Sequence, residues 1–172
     1  CIIVSNGLGN DVPVTSILGG YASIVLLSAF LFKFPFHILI CWMAFVIMSV
    51  GIGSIIGGYD IMHGYDWFVH FMSGIFLAET GFAFLNILTG KNKASMPYYL
   101  MVLFSALFSF SGAALWEVYE FTADNILPNI NMQGNNIDTM GDIVSGVLGA
   151  ILYIIIACVI RKLRKVEGNT DG

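Results

Sequence analysis

Five apolar runs, at approximately residues 14–32, 36–56, 66–89, 97–123 and 138–160, leave this chain few folds to choose from. Each is long enough to cross a hydrocarbon core, which takes about 20 residues of helix. Inside lipid a helix satisfies its own backbone polar groups, so runs of this length predict spanning helices. With 58% hydrophobic and 10% charged residues, a chain of 172 residues has more apolar surface than a water-soluble core could hide. The sequence therefore predicts an all-α, polytopic transmembrane bundle, a single integral membrane domain over 1–172 with five spans.

Charge gives the bundle a direction. Threading five spans in alternation puts Lys33, Lys91, Lys93, Arg161, Lys162, Arg164 and Lys165 in the loops and tail of one face. By the positive-inside rule that face is cytoplasmic. The expectation is a multi-pass protein of the bacterial cytoplasmic (inner) membrane with its C-terminus in the cytoplasm. The opposite face carries the N-terminus and the links 57–65 and 124–137. A net charge of -4, with no basic stripe outside 161–165, excludes nucleic acid as a partner. The basic tail reads as a stop-transfer signal and anchor on membrane lipid, and a homo-oligomer or a membrane-protein partner stays open. Cys1, Cys41 and Cys158 are odd in number and two lie within spans, so they read as packing residues. The chain opens at Cys1 without the pattern of a signal peptide. Trimming, a sixth span upstream or a lipid-modified Cys1 would each account for that start.

The punctuation suits helices. Pro35 in KFPFH (33–37) breaks the first two spans into a hairpin, residues 57–66 form a polar turn, and Pro128 and Gly134 mark an Asn-rich loop at 125–136. No internal repeat interrupts this order.

The informative residues are acids where lipid should be. Spans three, four and five contain DWFVH (66–70), WEVYEFTAD (116–124) and DTMGD (138–142). Residues three or four apart share a helix face, which pairs Asp66 with His70, Glu117 with Glu120, Glu120 with Asp124, and Asp138 with Asp142. Farther in, the same faces carry Ser73, then Ala113 and Ser109, then Ser145 and Gly149, small residues that let membrane helices approach closely. The three polar stripes are therefore expected to face one another.

A charged side chain at the bilayer centre costs about 2.5–3.5 kcal/mol on insertion scales, so such groups face a cavity or a partner. No Lys or Arg stands on that side to neutralise them. Protons shared between carboxylates, or a bound cation, remain. A histidine one turn below Asp66 favours the cation. Asp66, His70, Glu117, Glu120, Asp138 and Asp142 are thus the candidate ligands of a divalent metal ion (Mg, Mn, Fe or Zn). Carboxylates and histidine on facing helices also build di-metal centres in bundles, although the Glu-x-x-His spacing of that pattern is absent.

Other roles compete at several positions. Asp66 and Asp138 open helices, where capping is an alternative, and solvation is the alternative for Asp124. Glu79 lies roughly opposite His70 on the helical wheel and reads as a hydrogen-bonded packing acid or a step in a proton path. His63 reads as a surface residue and His37 as interfacial. Tyr65, Trp67, Trp116 and Tyr119 read as an outer aromatic belt. There is no phosphate loop, nucleophile elbow or HExxH motif.

YDWFVHFMSG (65–74), WEVYEF (116–121) and IDTMGDIVSGVLGA (137–150) together resemble the YjdF-like family of small bacterial inner-membrane proteins. The resemblance covers about the last two thirds of the chain and implies a fold and site positions rather than a chemistry. The order of motifs is also similar to that of VanZ-like proteins, linked as a family to glycopeptide resistance, but without the Lys after the first Asp and the Arg before the last helix.

Two function classes follow, with enzymatic activity left open. One is a metal site at the outer leaflet, where the ion would act as a Lewis acid on a lipid or its headgroup. The other is a cation or proton transporter with Glu79 continuing the path. A structural or assembly subunit without catalysis is the third reading. The charge asymmetry generates one direct expectation: cysteines placed near Lys91 and after Arg164 react only with membrane-permeant reagents, whereas those at Asn131 and Gly58 react from outside. Labelling of position 131 from the cytoplasm would reverse the orientation.

Overall fold

The computed structural model describes residues 14–90, 96–126 and 132–170. Helix α1 (Val14–Leu31) is followed by α2 (Phe36–Val46), which runs on as a π-helical segment, Ile47–Ile55. A short helix α3 (Gly58–Ile61) precedes three long ones, α4 (Tyr65–Thr89), α5 (Tyr98–Ile126) and α6 (Asn136–Thr170). Among the described residues there is no strand. Four helices are long and apolar enough to cross a membrane: Phe36–Ile55, Tyr65–Thr89, Tyr98–Ile126 and Asn136–Glu167. The first of the five expected runs forms the 18-residue helix α1, which is not among those four. Cys1, Lys91, Lys93, Pro128 and Asn131 lie outside the described residues.

The breaks have local causes. Pro35 caps α2 with its ring-fixed φ of -55°, and the turn before it closes through Phe34 N–H to the Leu31 carbonyl. Gly64 enters α4 at φ 78°, a left-handed conformation that only glycine adopts without strain.

Helices α4, α5 and α6 form the core, and α4 packs on both of the others. The contact is made by small residues. A methyl group added at Gly74 would collide with the Gly146 carbonyl, and one at Gly149 with the Phe71 carbonyl. With Ala78, Ala113 and Ala150 buried beside them, α4 and α6 meet backbone to backbone. Helix α5 is tied to α4 by two hydroxyls. Ser109 Oγ donates to the Gly74 carbonyl at 3.0 Å, and Ser105 Oγ donates to the Ala78 carbonyl. The stripe predicted from Ala113 and Ser109 is thus the buried face of α5. On α6 the expected Gly149 lies on the contact, joined by Gly146 rather than Ser145, and on α4 the contact runs through Gly74 rather than Ser73. The remaining faces of α5 and α6 show exposed side chains such as Leu103, Leu107, Leu148 and Ile155, as a lipid-facing surface requires.

The α1–α2 hairpin leans on the other half of α4. Leu31 and Ile38 bury against Ala83, Phe34 stacks on Phe84 at 6.1 Å, and Trp42 Nε1 donates to Thr80 Oγ1 at 2.9 Å. The π-helical segment was not expected. Its widened turn leaves room at Gly53, against which the Tyr59 ring lies. The Met48 carbonyl accepts a hydrogen bond from the Tyr65 hydroxyl at 2.9 Å. Tyr65 is consequently buried, which corrects its assignment to the outer aromatic belt.

These contacts set unequal tolerances. Gly74→Ala meets backbone that cannot yield, and overpacking of this kind costs about 1–3 kcal/mol. Gly112→Ala meets only the Leu77 side-chain methyls, which can turn aside. Thermal unfolding in mild detergent should therefore show a clear loss for Gly74→Ala and little for Gly112→Ala, and equal losses would refute the backbone contact.

Candidate metal centre

The first turns of α4 and α6 and the last turns of α5 lie at one end of the bundle, and their faces place four side chains together. His70 Nε2 stands 3.5 Å from Asp66 Oδ1 and 3.9 Å from Asp142 Oδ1. His70 Nδ1 is 4.0 Å from Glu117 Oε1. One ligand atom from each of Asp66, His70 and Asp142 lies within 4.8 Å of the others. His70 is 7%, Glu117 5% and Asp142 2% exposed. Both carboxylate oxygens of Glu117 and Oδ1 of Asp142 are buried without a hydrogen-bond partner.

Two of the six expected ligands go elsewhere. Glu120 Oε1 accepts the Trp116 indole N–H at 2.8 Å, one turn away on its own helix. Asp138 turns its carboxylate toward Gly134 in the preceding loop. Neither makes an ion pair with His70 within 4 Å. Capping does not explain the acids at the helix starts. Asn135 caps α6, its Oδ1 accepting the Ile137 N–H at 2.8 Å and the Asp138 N–H at 3.3 Å. Helix α4 has no side-chain cap, and Asp66 faces His70 instead. Asp124 is not merely solvated, because its two oxygens accept the Met132 and Gln133 N–H groups at 2.8 Å each and clasp the incoming loop.

The other titratable groups separate cleanly. His63 is exposed, as expected. His37, expected at the interface, bonds Glu79 at 2.9 Å on the far half of α4, which gives Glu79 the hydrogen bond expected of it. Trp67, Trp116 and Tyr119 are exposed, in keeping with a belt. Tyr59 of α3 was not singled out from sequence, since nothing in its spacing ties a turn residue to acids on three helices. Burial first, and then the Asp66 carboxylate, hold its phenol well above the ordinary range, with smaller contributions from Tyr65, Glu120 and Asp142.

The physical problem at this end is charge. Two carboxylates 4.8 Å apart repel by about 3–4 kcal/mol at an effective dielectric of about 20. Asp66, Glu117 and Asp142 surround a single imidazole, with no Lys or Arg in ion-pairing range among the described residues. Protons shared between the carboxylates or a bound cation would each relieve that repulsion, and oxygen donors with one imidazole have the chemistry that suits a hard or borderline divalent cation.

Sequence comparison places the chain in a family. The profile of the family described as "Predicted membrane protein (DUF2238)" matches residues 9–163, and the chain belongs to that family. An uncharacterized protein of Thermotoga maritima is 32% identical over 110 residues, 64% of this chain. The match spans 55% of that relative's length. No solved structure matches.

The cap assignment is open to measurement. Asn135→Ala should destabilise the protein by about 1 kcal/mol, the usual worth of a helix cap, whereas Asp138→Asn should leave unfolding unchanged. Equal destabilisation by both would return Asp138 to a capping role.

Proposed function

We propose that this member of the predicted membrane protein family binds a divalent cation through Asp66, His70 and Asp142, and that the site acts on a membrane lipid or its headgroup. The observation that carries the reading is that Asp66, His70 and Asp142 each offer a ligand atom within 4.8 Å of the others, with Oδ1 of Asp142 buried and unpartnered beside His70. A buried carboxylate without a donor is costly, and a cation removes the cost for several at once.

The two imidazole nitrogens divide the labour. Nε2 looks toward Asp66 and Asp142, so it is the nitrogen that would join them as ligand. Nδ1 looks toward Glu117, which would fix the tautomer and aim the ring, as carboxylates commonly do behind a ligating histidine. When bound, the cation supplies Lewis acidity toward a phosphoester or carbonyl oxygen. Tyr59 and Glu120, at the edge of the cluster, are the groups placed to meet a headgroup. In the same reading α1 is a fifth span, the basic residues face the cytoplasm of a bacterial inner membrane, the site faces outward, and the kinship is with YjdF-like proteins.

Transport is the weaker reading for a structural reason. Between the cluster and the His37–Glu79 pair lie the close-packed Gly74, Ala78, Ala113, Gly146 and Ala150, and the Ser105 and Ser109 hydroxyls among them are engaged by the Ala78 and Gly74 carbonyls.

Elemental analysis of protein purified in mild detergent tests the proposal. Wild type should carry near-stoichiometric metal. His70→Ala and Asp142→Asn should insert normally and lose it, Glu117→Gln should weaken binding about 10–100-fold, and Asp138→Asn should retain it. Unchanged metal content in His70→Ala and Asp142→Asn would reduce the cluster to a structural feature.

A further inference from the structure

A second polar place lies in the other half of the bundle. His37 Nε2 and Glu79 Oε1 are 2.9 Å apart, yet their side chains are 60% and 30% exposed. They open into a cleft of about 590 Å³ where α2, α4, α5 and α6 come together. Phe82, Ile87, Tyr153 and Ala157 give it apolar walls, and Lys33 and Asn86 add polar groups. Oδ1 of Asn86 is buried without a hydrogen-bond partner. Tyr98 lines the same cleft, and the Arg161 guanidinium lies 3.8 Å over its ring.

The depth of the pair makes the cleft more than a dent in a lipid-facing wall. Glu79 stands ten residues before Thr89, about 15 Å along the helix axis. A carboxylate open to hydrocarbon at such depth is expensive, and the bond to His37 covers only one side of it. A polar occupant of the cleft would cover the side that this bond leaves open. Its volume falls in the range of small-molecule sites, about 300–1,000 Å³. Polar groups beside long apolar walls fit an amphiphile. Lys33 and Arg161 against Glu79 leave a positive excess, which fits an anionic headgroup. Glu79 and the Asn86 carbonyl oxygen are acceptors, which fit hydroxyls on that headgroup.

We propose that this cleft binds an anionic phospholipid with a hydroxylated headgroup, its phosphate held by Lys33 and Arg161, its hydroxyls by Glu79 and Asn86, and an acyl chain lying along Phe82, Ile87, Tyr153 and Ala157. The site is separate from the metal cluster and does not depend on it.

Native mass spectrometry of the full chain in detergent, titrated with dioleoyl phosphatidylglycerol or dioleoyl phosphatidylcholine, tests this. Phosphatidylglycerol should bind wild type about tenfold more tightly than phosphatidylcholine, as expected for one well-placed charged contact. Lys33→Ala combined with Arg161→Ala should weaken both lipids, which share the phosphate, and reduce the preference, because the positive excess that favours the net anionic lipid is lost. Asn86→Leu, which keeps the size of the side chain, should weaken phosphatidylglycerol and leave phosphatidylcholine unchanged. His70→Ala, which disables the metal cluster, should leave the preference intact, so failure of one proposal is distinguishable from failure of the other. Equal binding of the two lipids to wild type, or an undiminished preference in the double variant, would overturn the proposal. Displacement of phosphatidylglycerol by millimolar inorganic phosphate alone would assign the cleft to a free anion and overturn the lipid reading as well.

Discussion

Everything at the acidic end depends on how closely α4 and α6 approach. Gly74, Gly146 and Gly149 let the two backbones touch, and that contact fixes the height of His70 against Asp142. In lipid there is no hydrophobic drive to bring helices together, so van der Waals contact of this kind and a few interhelical hydrogen bonds supply the association. The Ser109 and Ser105 hydroxyls add α5 to the pair and bring Glu117 to the same level. The polar cluster is thus a consequence of small residues one and two turns below it.

The same arrangement explains how the acids are tolerated. Each is placed toward the end of its helix, where the cost of burial is lower; Glu117 and Asp142 are buried between helices, and Asp66, in the first turn of α4, is partly exposed. Among the described residues, His70 is the basic group in ion-pairing range of the three inner acids, and no Lys or Arg joins it. Local partners are used for the acids that lie farther out: Trp116 holds Glu120, and the Asp124 oxygens hold two loop amides. The inner four are left to one another, which is the arrangement expected where a ligand completes the electrostatics.

Much of this was legible in the sequence because lipid makes every ionisable residue conspicuous. Helical spacing put Asp66 with His70, and Glu117 and Asp142 on small-residue faces, without knowledge of any contact. The same spacing does not separate Glu120 and Asp138 from these four. Glu120 and Asp138 share those faces, but a Trp116 indole one turn away and the caps made by Asn135 changed where their carboxylates turn or what they do, and periodicity does not report such choices. The π-helical segment was hidden because Gly51 and Gly53 look like ordinary small residues in an apolar run. The burial of Tyr65 followed from it. The His37–Glu79 bond joins residues 42 apart on different helices, a pairing that only the lean of the hairpin decides. Five apolar runs likewise gave a count of spans, of which four helices meet the length and hydropathy needed.

The glycine contacts also restrict motion. Sliding α6 along α4 by a single residue would carry Gly146 and Gly149 away from the carbonyls they accommodate and bring side chains onto that backbone. The three-helix core therefore has no low-cost rocking mode of the kind that alternating access requires. The α1–α2 hairpin rests on α4 mainly through side chains, among them Leu31, Ile38, Phe34 and Trp42. To these the segment that continues α2 adds one hydrogen bond to backbone, from the Tyr65 hydroxyl to the Met48 carbonyl. A shift of the hairpin would change its contacts with α4 and leave the α4–α6 backbone contact, and with it the spacing of His70 and Asp142, in place.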